Sequence, residues 1–294
     1  MQLTLKRKEF IQERDAVKNN KGSHAYIIEG SEGIGKFSYA LAVSCVYFCK
    51  NEERPCLKCA QCRKVLEGKH PDLHVVEPEK GIIRVDMIRE IISTLYETPY
   101  EGGVKIYIIK NFEKANEQAQ NAFLKTLEEP PESAVFFLLT ENSHMLLDTV
   151  KSRCKKIVLS GFDKNEILSF LKVGFPGENA SFAAENCGGN IGRALKLIND
   201  ENYLQLTKKA IEIANDKSPD MAQTAKILEK EPDILPVLRE QLFNTMRIQH
   251  DTHSLIRLHA VEKAIEDKKK NINGGLVIER LAYVLSKGGT KWQR

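Results

Sequence analysis

Ala25-Tyr26-Ile27-Ile28-Glu29-Gly30-Ser31-Glu32-Gly33-Ile34-Gly35-Lys36-Phe37 is the stretch that decides the fold. Ala25 to Glu29 reads as a short apolar strand, the glycines as a tight turn, and Phe37 to Cys49 as a largely apolar helix. A buried helix behind a buried strand opens an α/β unit. The turn matches the phosphate-loop pattern as far as Gly-x-x-x-x-Gly-Lys, and it lies between strand and helix, where that chemistry needs it. Gly30, Gly33 and Gly35 would let the backbone wrap a phosphate, and Lys36 would reach its outer oxygens. The alternative is a tight glycine turn that binds nothing.

The strand–helix alternation continues outward from this point. Leu73 to Val76, Val104 to Ile109, Ala134 to Thr140 and Lys156 to Leu159 read as strands. Helices are expected over Val85–Tyr96 and over Asn116–Glu128, the latter stopped by Pro130-Pro131. Near-continuous apolar strands predict a parallel sheet covered on both faces. Residues 4 to 19 form a candidate amphipathic first helix. After Gly161 the strand signals fade. Short helices are expected around 164–173, 180–187 and 192–198, and from Tyr203 onward only helices. The expected layout is an α/β domain over 1–160, a small three-helix domain over 161–201 and an all-α domain over 202–294.

Composition narrows the function class only slightly. With 44 basic and 40 acidic residues the net charge of +4 permits contact with nucleic acid without predicting it. No apolar run approaches the ~20 residues that span a bilayer, and the charged N-terminus lacks a secretory core, so a cytoplasmic protein with no membrane partner is expected. In a reducing compartment the seven cysteines suggest thiols or metal ligands rather than disulfides.

Two positions speak against ATP hydrolysis. A phosphate loop ends in Ser or Thr, whose hydroxyl binds magnesium, but Phe37 stands there. Ser38 is one place late and points about 100° away on a helix. The strand that should end in an acidic metal ligand ends in Lys110-Asn111, with Glu113 a poor substitute in the following turn.

Cys49, Cys56, Cys59 and Cys62 are spaced Cys-x6-Cys-x2-Cys-x2-Cys. Four thiolates so close suit a tetrahedral structural zinc within a module over residues 45–68. An iron–sulfur cluster competes, as do four unligated thiols, and Cys45 could replace Cys49 one helical turn away. Cys154 and Cys187 stand alone and are expected to be buried apolar residues.

Asn121-Ala122-Phe123-Leu124-Lys125-Thr126-Leu127-Glu128-Glu129-Pro130-Pro131 resembles the helix and proline stop of the bacterial clamp-loader subunits of DNA polymerase III, an AAA+ family. Ser152-Arg153-Cys154, the four-cysteine insert and His70-Pro71-Asp72-Leu73 occur in the order that family has them, and the likeness covers residues 20 to 200. Within it the gamma/tau type hydrolyses ATP and the delta-prime type does not. Gly192 stands where the motor subunits have a sensor arginine, and Arg193 is one place over. Thr140 matches the family's other sensor position. The resemblance therefore implies a non-hydrolysing subunit in which Gly30, Gly33, Gly35 and Lys36 are vestigial, with ATP and magnesium not bound productively. It implies that Arg153 acts as an arginine finger in trans on a gamma/tau neighbour. Implied partners are gamma/tau and delta subunits, with the sliding clamp and primer-template DNA reached through the assembled polymerase complex. The alternatives are an active gamma/tau-type ATPase, or a zinc-dependent nucleic-acid-binding module using Arg54, Lys58, Arg63 and Lys64.

Overall fold

In the computed structural model, residues 1–101, 103–175, 177, 179–249 and 252–287 are described. They fall into two units, residues 1–167 with 189–192 and residues 168–188 with 193–294.

The first unit is built on five parallel strands in the order β2-β3-β4-β1-β5. These are β1 (Ala25–Glu29), β2 (Leu73–Val76), β3 (Lys105–Ile109), β4 (Ala134–Thr140) and β5 (Lys155–Val158). Every residue of β3 and β4 is buried, whereas the edge strands β2 and β5 are partly exposed. The interior strands carry their apolar runs because both faces are covered. β1 pairs with β4 so that Ala25 faces Phe136 and Glu29 faces Thr140.

The helices of this unit are α1 (Gln2–Leu5), α2 (Lys8–Lys18), α3 (Lys36–Phe48), α4 (Ala60–Leu66), α5 (Val85–Thr94), α6 (Glu117–Glu128) and α7 (Asp148–Lys151), and α8 (Lys164–Gly174) begins within it. Alternate strand residues divide between two cores. Tyr26, Ile28, Ile106 and Phe137 pack with α2 and α3 residues such as Phe10 and Val43. Ile27, Tyr107, Phe136 and Leu138 pack with α5 and α6 residues such as Ile88 and Phe123. Each such fully buried aliphatic or aromatic side chain contributes about 1.5–3 kcal/mol. Asn116 caps α6 by accepting the Ala119 N–H at 2.8 Å, and the helix ends before Pro130 as expected.

The expected first helix differs from what is seen. It breaks at Arg7, whose backbone is extended, because the Arg7 side chain is drawn to carbonyls far along the chain. α4 also has no counterpart in the sequence reading.

The second unit contains α9 (Asn179–Asn186), α11 (Glu201–Asn215), α12 (Met221–Lys230), α13 (Ile234–Gln249), α14 (Thr252–Lys269) and α15 (Gly274–Ser286), while α10 (Ile191–Asn199) starts in the first unit and continues here. α11 to α15 enclose a core of Leu228, Leu238, Leu242, Val261 and Leu285. The buried Arg257 donates to the Ile213 and Ala214 carbonyls at 2.5 and 3.0 Å, closing the C-terminal end of α11. No helix among the described residues is long and apolar enough to cross a membrane.

Candidate functional site

The glycine-rich turn lies at the C-terminal end of β1, with Gly35 starting α3 in a left-handed conformation (φ 102°) that only glycine takes without strain. The structure brings Gly30, Gly33, Gly35 and Lys36 together as the pattern requires, and the chain itself engages Lys36 and the loop carbonyls. Lys36 Nζ donates to the Gly30 and Ser31 carbonyls at 2.7 and 3.1 Å. Asn190 Nδ2 donates to the Glu32 carbonyl at 2.6 Å, and the Gly192 N–H to the Gly33 carbonyl at 2.9 Å. Arg7 Nη2 donates to the Ile34 carbonyl at 3.0 Å, while its Nη1 holds the Ser160 carbonyl at 2.7 Å. Its guanidinium stacks 3.7 Å over the Phe162 ring. Every loop carbonyl from Gly30 to Ile34 thus accepts a bond from the same chain. Lys36 is a strut within the loop. Burial pulls its ammonium below the usual lysine range, with Glu141, Glu113 and Glu32 opposing the shift.

Where a motor would hold magnesium, a different contact stands. Lys110 Nζ sits 4.0 Å from the Phe37 ring centre and pairs with Glu77 at 2.6 Å. An ammonium on an aromatic face is an attractive pairing, and it places a positive charge where a divalent cation would need a carboxylate. Glu113 accepts the Glu141 N–H at 3.4 Å. Thr140 is fully buried and its hydroxyl accepts the Asn142 N–H at 3.2 Å, a turn cap. At position 192 a Cβ would meet Gly33 Cα at 2.7 Å, so no side chain fits there. Arg193 instead pairs with Glu240 in the second unit.

Glu29, at the mouth of the loop, accepts from both the Ser143 N–H and hydroxyl at 3.1 Å and pairs with Lys156 at 2.6 Å. Burial alone would make its carboxyl a weaker acid, but the Lys156 and Ser143 bonds outweigh that and hold the carboxyl below the usual glutamate range.

Arg153 follows α7, partly exposed. Its Nη1 donates to the Thr149 carbonyl at 2.7 Å and to Ser152 Oγ at 3.2 Å, and its Nη2 pairs with the Glu128 carboxylate at the end of α6.

The four cysteines converge. Their sulfurs all lie within 4.8 Å of one another, and Cys49 and Cys59 are 3.9 Å apart. A tetrahedron with Zn–S bonds of about 2.3 Å has an edge of about 3.8 Å, so the set can hold a zinc ion. Cys59 N–H points at Cys56 Sγ and Cys62 N–H at Cys59 Sγ, both at 3.4 Å, bonds that favour thiolates. The N–H groups of Lys58 and Cys59 pull the Cys56 thiol down to about 6. Cys45 lies outside the set, is fully buried, and is pushed up to about 12 by that burial. Cys187 is fully buried and Cys154 partly so.

His70-Pro71-Asp72 ties this insert to the sheet. The His70 ring stacks on Phe48 at 3.8 Å and accepts the Asp72 N–H through Nδ1. The buried Asp72 carboxylate accepts the Tyr100 and Glu101 N–H groups at 2.7 and 2.9 Å. Glu101 in turn binds Gln61 at 2.6 Å and pairs with Lys64, both on α4.

Sequence reasoning did not find Arg7, Asn190 or the partner of Arg153. Glu128 stood inside the Asn121–Pro131 motif, but nothing in its spacing marked what it touches.

A parallel α/β unit with a phosphate-type loop after β1, whose lysine and carbonyls are bonded within the chain, is the architecture of a phosphate-loop protein. The chain belongs to the family described as DNA polymerase III, delta subunit, whose profile matches residues 6–163. It is 30% identical to DNA polymerase III subunit delta' of Bacillus subtilis over 68% of this chain and 61% of that one. It is 29% identical to DNA polymerase III subunit gamma of Buchnera aphidicola over 65% of this chain and 54% of that one. The matches thus span less than two thirds of those relatives' lengths. A crystal structure of a DNA polymerase III gamma subunit-related protein from Thermotoga maritima aligns over 95% of this chain and 100% of that one, with 20% identity and a TM-score of 0.49.

Proposed function

We propose that this chain is a non-hydrolysing, delta-prime-type subunit of a bacterial clamp loader. In this reading it is a rigid member of the ring that offers Arg153 to the ATP held by a gamma/tau-type neighbour. The observation that carries the reading is the Phe37–Lys110 contact, which puts an aromatic ring and a cation where magnesium chemistry needs a hydroxyl and a carboxylate. Arg153, by contrast, remains at a partly exposed position with donors suited to phosphate. An arginine supplied in trans stabilises charge on the transferring phosphoryl group and raises turnover by ~10³–10⁵ in the best-studied cases. The reading takes residues 161–201 as a lid and 202–294 as the domain contacting other subunits. It takes Cys49, Cys56, Cys59 and Cys62 as ligands of a structural zinc, which would brace the insert without an open coordination position. A cytoplasmic location, delta as a further partner, and reach to the clamp and primer-template DNA through the complex belong to the same proposal.

The test is ATPase assay of the complex reconstituted with a gamma/tau-type partner. Arg153→Ala is expected to lower turnover at least tenfold while size-exclusion chromatography shows assembly intact. An unchanged rate sinks the trans role. The pure chain is expected to show no magnesium-dependent hydrolysis, and turnover above background would favour the active gamma/tau-type alternative. The nucleic-acid alternative is weakened by two of its four basic residues being engaged within the chain, Lys64 with Glu101 and Arg54 with the Lys18 carbonyl.

A further inference from the structure

Glu128 closes α6 at a place where a carboxylate is unfavourable. The C-terminal end of a helix carries partial negative charge from its unpaired carbonyls, so an acidic side chain there is repelled. The position is fixed by the Asn116 cap at one end and by Pro130 at the other. Helix stability therefore gives no reason for the residue. Among the described residues its partner is Arg153, which reaches it across 25 positions of sequence. Arg153 is held from a second side by the Thr149 carbonyl and Ser152 hydroxyl, so the guanidinium lies folded back along its own chain.

The strength of this tether is what makes it informative. Both partners are substantially exposed, with side-chain exposures of 31% for Arg153 and 49% for Glu128. Ion pairs in such surroundings are weak and screened by salt. A terminal phosphate carries more charge than a carboxylate and offers the same planar donor fork several oxygens. A phosphate brought against Arg153 would displace the carboxylate, which competes with water only modestly.

We propose that Glu128 is a positioning residue for Arg153: its carboxylate biases the guanidinium toward a parked position against α7 and yields it to a nucleotide phosphate presented by the neighbouring subunit. This rests on the trans reading of Arg153 given above. It makes the finger less available, by about the two- to fivefold ratio of an exposed ion pair, until a phosphate is presented.

Two measurements separate this inference from the reading beneath it. In the isolated full chain, phenylglyoxal modification of Arg153, followed by peptide mass spectrometry, reads how free the guanidinium is. Glu128→Gln is expected to raise the labelling rate about two- to fivefold, the population ratio that a solvent-exposed ion pair spans. Glu128→Asp, which keeps the charge on a shorter arm, is expected to fall between, and rising ionic strength to reproduce the Gln effect in the wild type. In the complex reconstituted with a gamma/tau-type partner, Glu128→Gln is expected to raise ATP turnover in the absence of clamp and DNA by a similar factor. Adding Arg153→Ala should abolish that gain. Unchanged labelling overturns the tether. Raised labelling with an unchanged or lowered rate overturns its regulatory role. If Arg153→Ala alone leaves the complex's rate intact, the trans reading itself fails, and the labelling result then reports only a surface contact.

Discussion

The phosphate loop and the cysteine insert carry equally suggestive motifs, and the structure treats them in opposite ways. In the loop, carbonyl after carbonyl is bonded by Lys36, Asn190, Gly192 or Arg7, so the loop's acceptors and its lysine are engaged within the chain. In the insert, four sulfurs converge within 4.8 Å with N–H groups directed at two of them. A motif records that a site's residues are present. What the residues bond to decides whether the site faces outward or has become part of the scaffold.

The contrast can be broken most forcefully at the cysteines. The chain is expected to carry about one zinc per molecule by plasma mass spectrometry. Removal of structural zinc forfeits a binding free energy of ~10–16 kcal/mol in small zinc domains. Chelation should therefore lower the melting temperature of the chain by more than ten degrees, and Cys59→Ser should do the same. Cys45→Ser should keep the metal. A metal-free chain of undiminished stability would erase the distinction between the two regions.

The next largest effect is expected within the loop. Gly192→Ala drives a methyl into Gly33 Cα, a backbone atom that cannot swing aside, and overpacking of this kind costs about 1–3 kcal/mol. Urea denaturation should show the loss. A neutral result would mean the loop is not tightly closed on itself.

Glu29 gives a pH signature. Its folded carboxyl is more acidic than a free one, so its contribution is fully present above the ordinary glutamate range and is lost as pH falls through its folded value. Glu29→Gln is expected to cost about 2 kcal/mol near neutral pH, given its charge-assisted bonds to Ser143 and Lys156. The gap to wild type should close in acid, as followed by denaturant titration at several pH values. A gap that persists in acid would assign the effect to packing instead.

The smallest effect is expected at Lys110. Lys110→Met keeps the apolar stem over Phe37 and removes the cation–π contact, worth about 0.5–1 kcal/mol at an exposed position. It should leave the chain without ATP hydrolysis, since the hydroxyl and the acid are still lacking. A gain of turnover would show that the positive charge alone had silenced the site.

Much of this molecule can be read from its residues in order. The strands at 25–29, 105–109 and 134–140 stand out because a sheet covered on both faces leaves no place for alternating polar residues. The ends of α6 fall within a position of the expected ones, where Asn116 supplies a cap and Pro130 a stop. The cysteine spacing points straight to a cluster because its members are close in sequence. What fails is reach. Arg7 bonds a carbonyl 153 positions away and Asn190 one 158 positions away, separations at which no periodicity or spacing carries a signal. α4 escapes notice because it is short and is started by Cys59, a residue that ordinarily says nothing about helix ends. The break at Arg7 is a tertiary override, since the local pattern favours one continuous helix and distant carbonyls pull it apart.

The close approach of Gly192 to Gly33 bears on the direction in which such a chain can change. On the proposed reading an arginine at 192 and an acid at 110 are what a working motor would require. Installed alone, an arginine at 192 collides with backbone. An aspartate at 110 gives up the ring contact and its pairing with Glu77, and faces no hydroxyl while Phe37 remains. Each single step toward activity thus lowers stability before any benefit can appear. The arrangement works as a ratchet: adaptation of the loop to its own chain has made the inactive form the easier one to inherit.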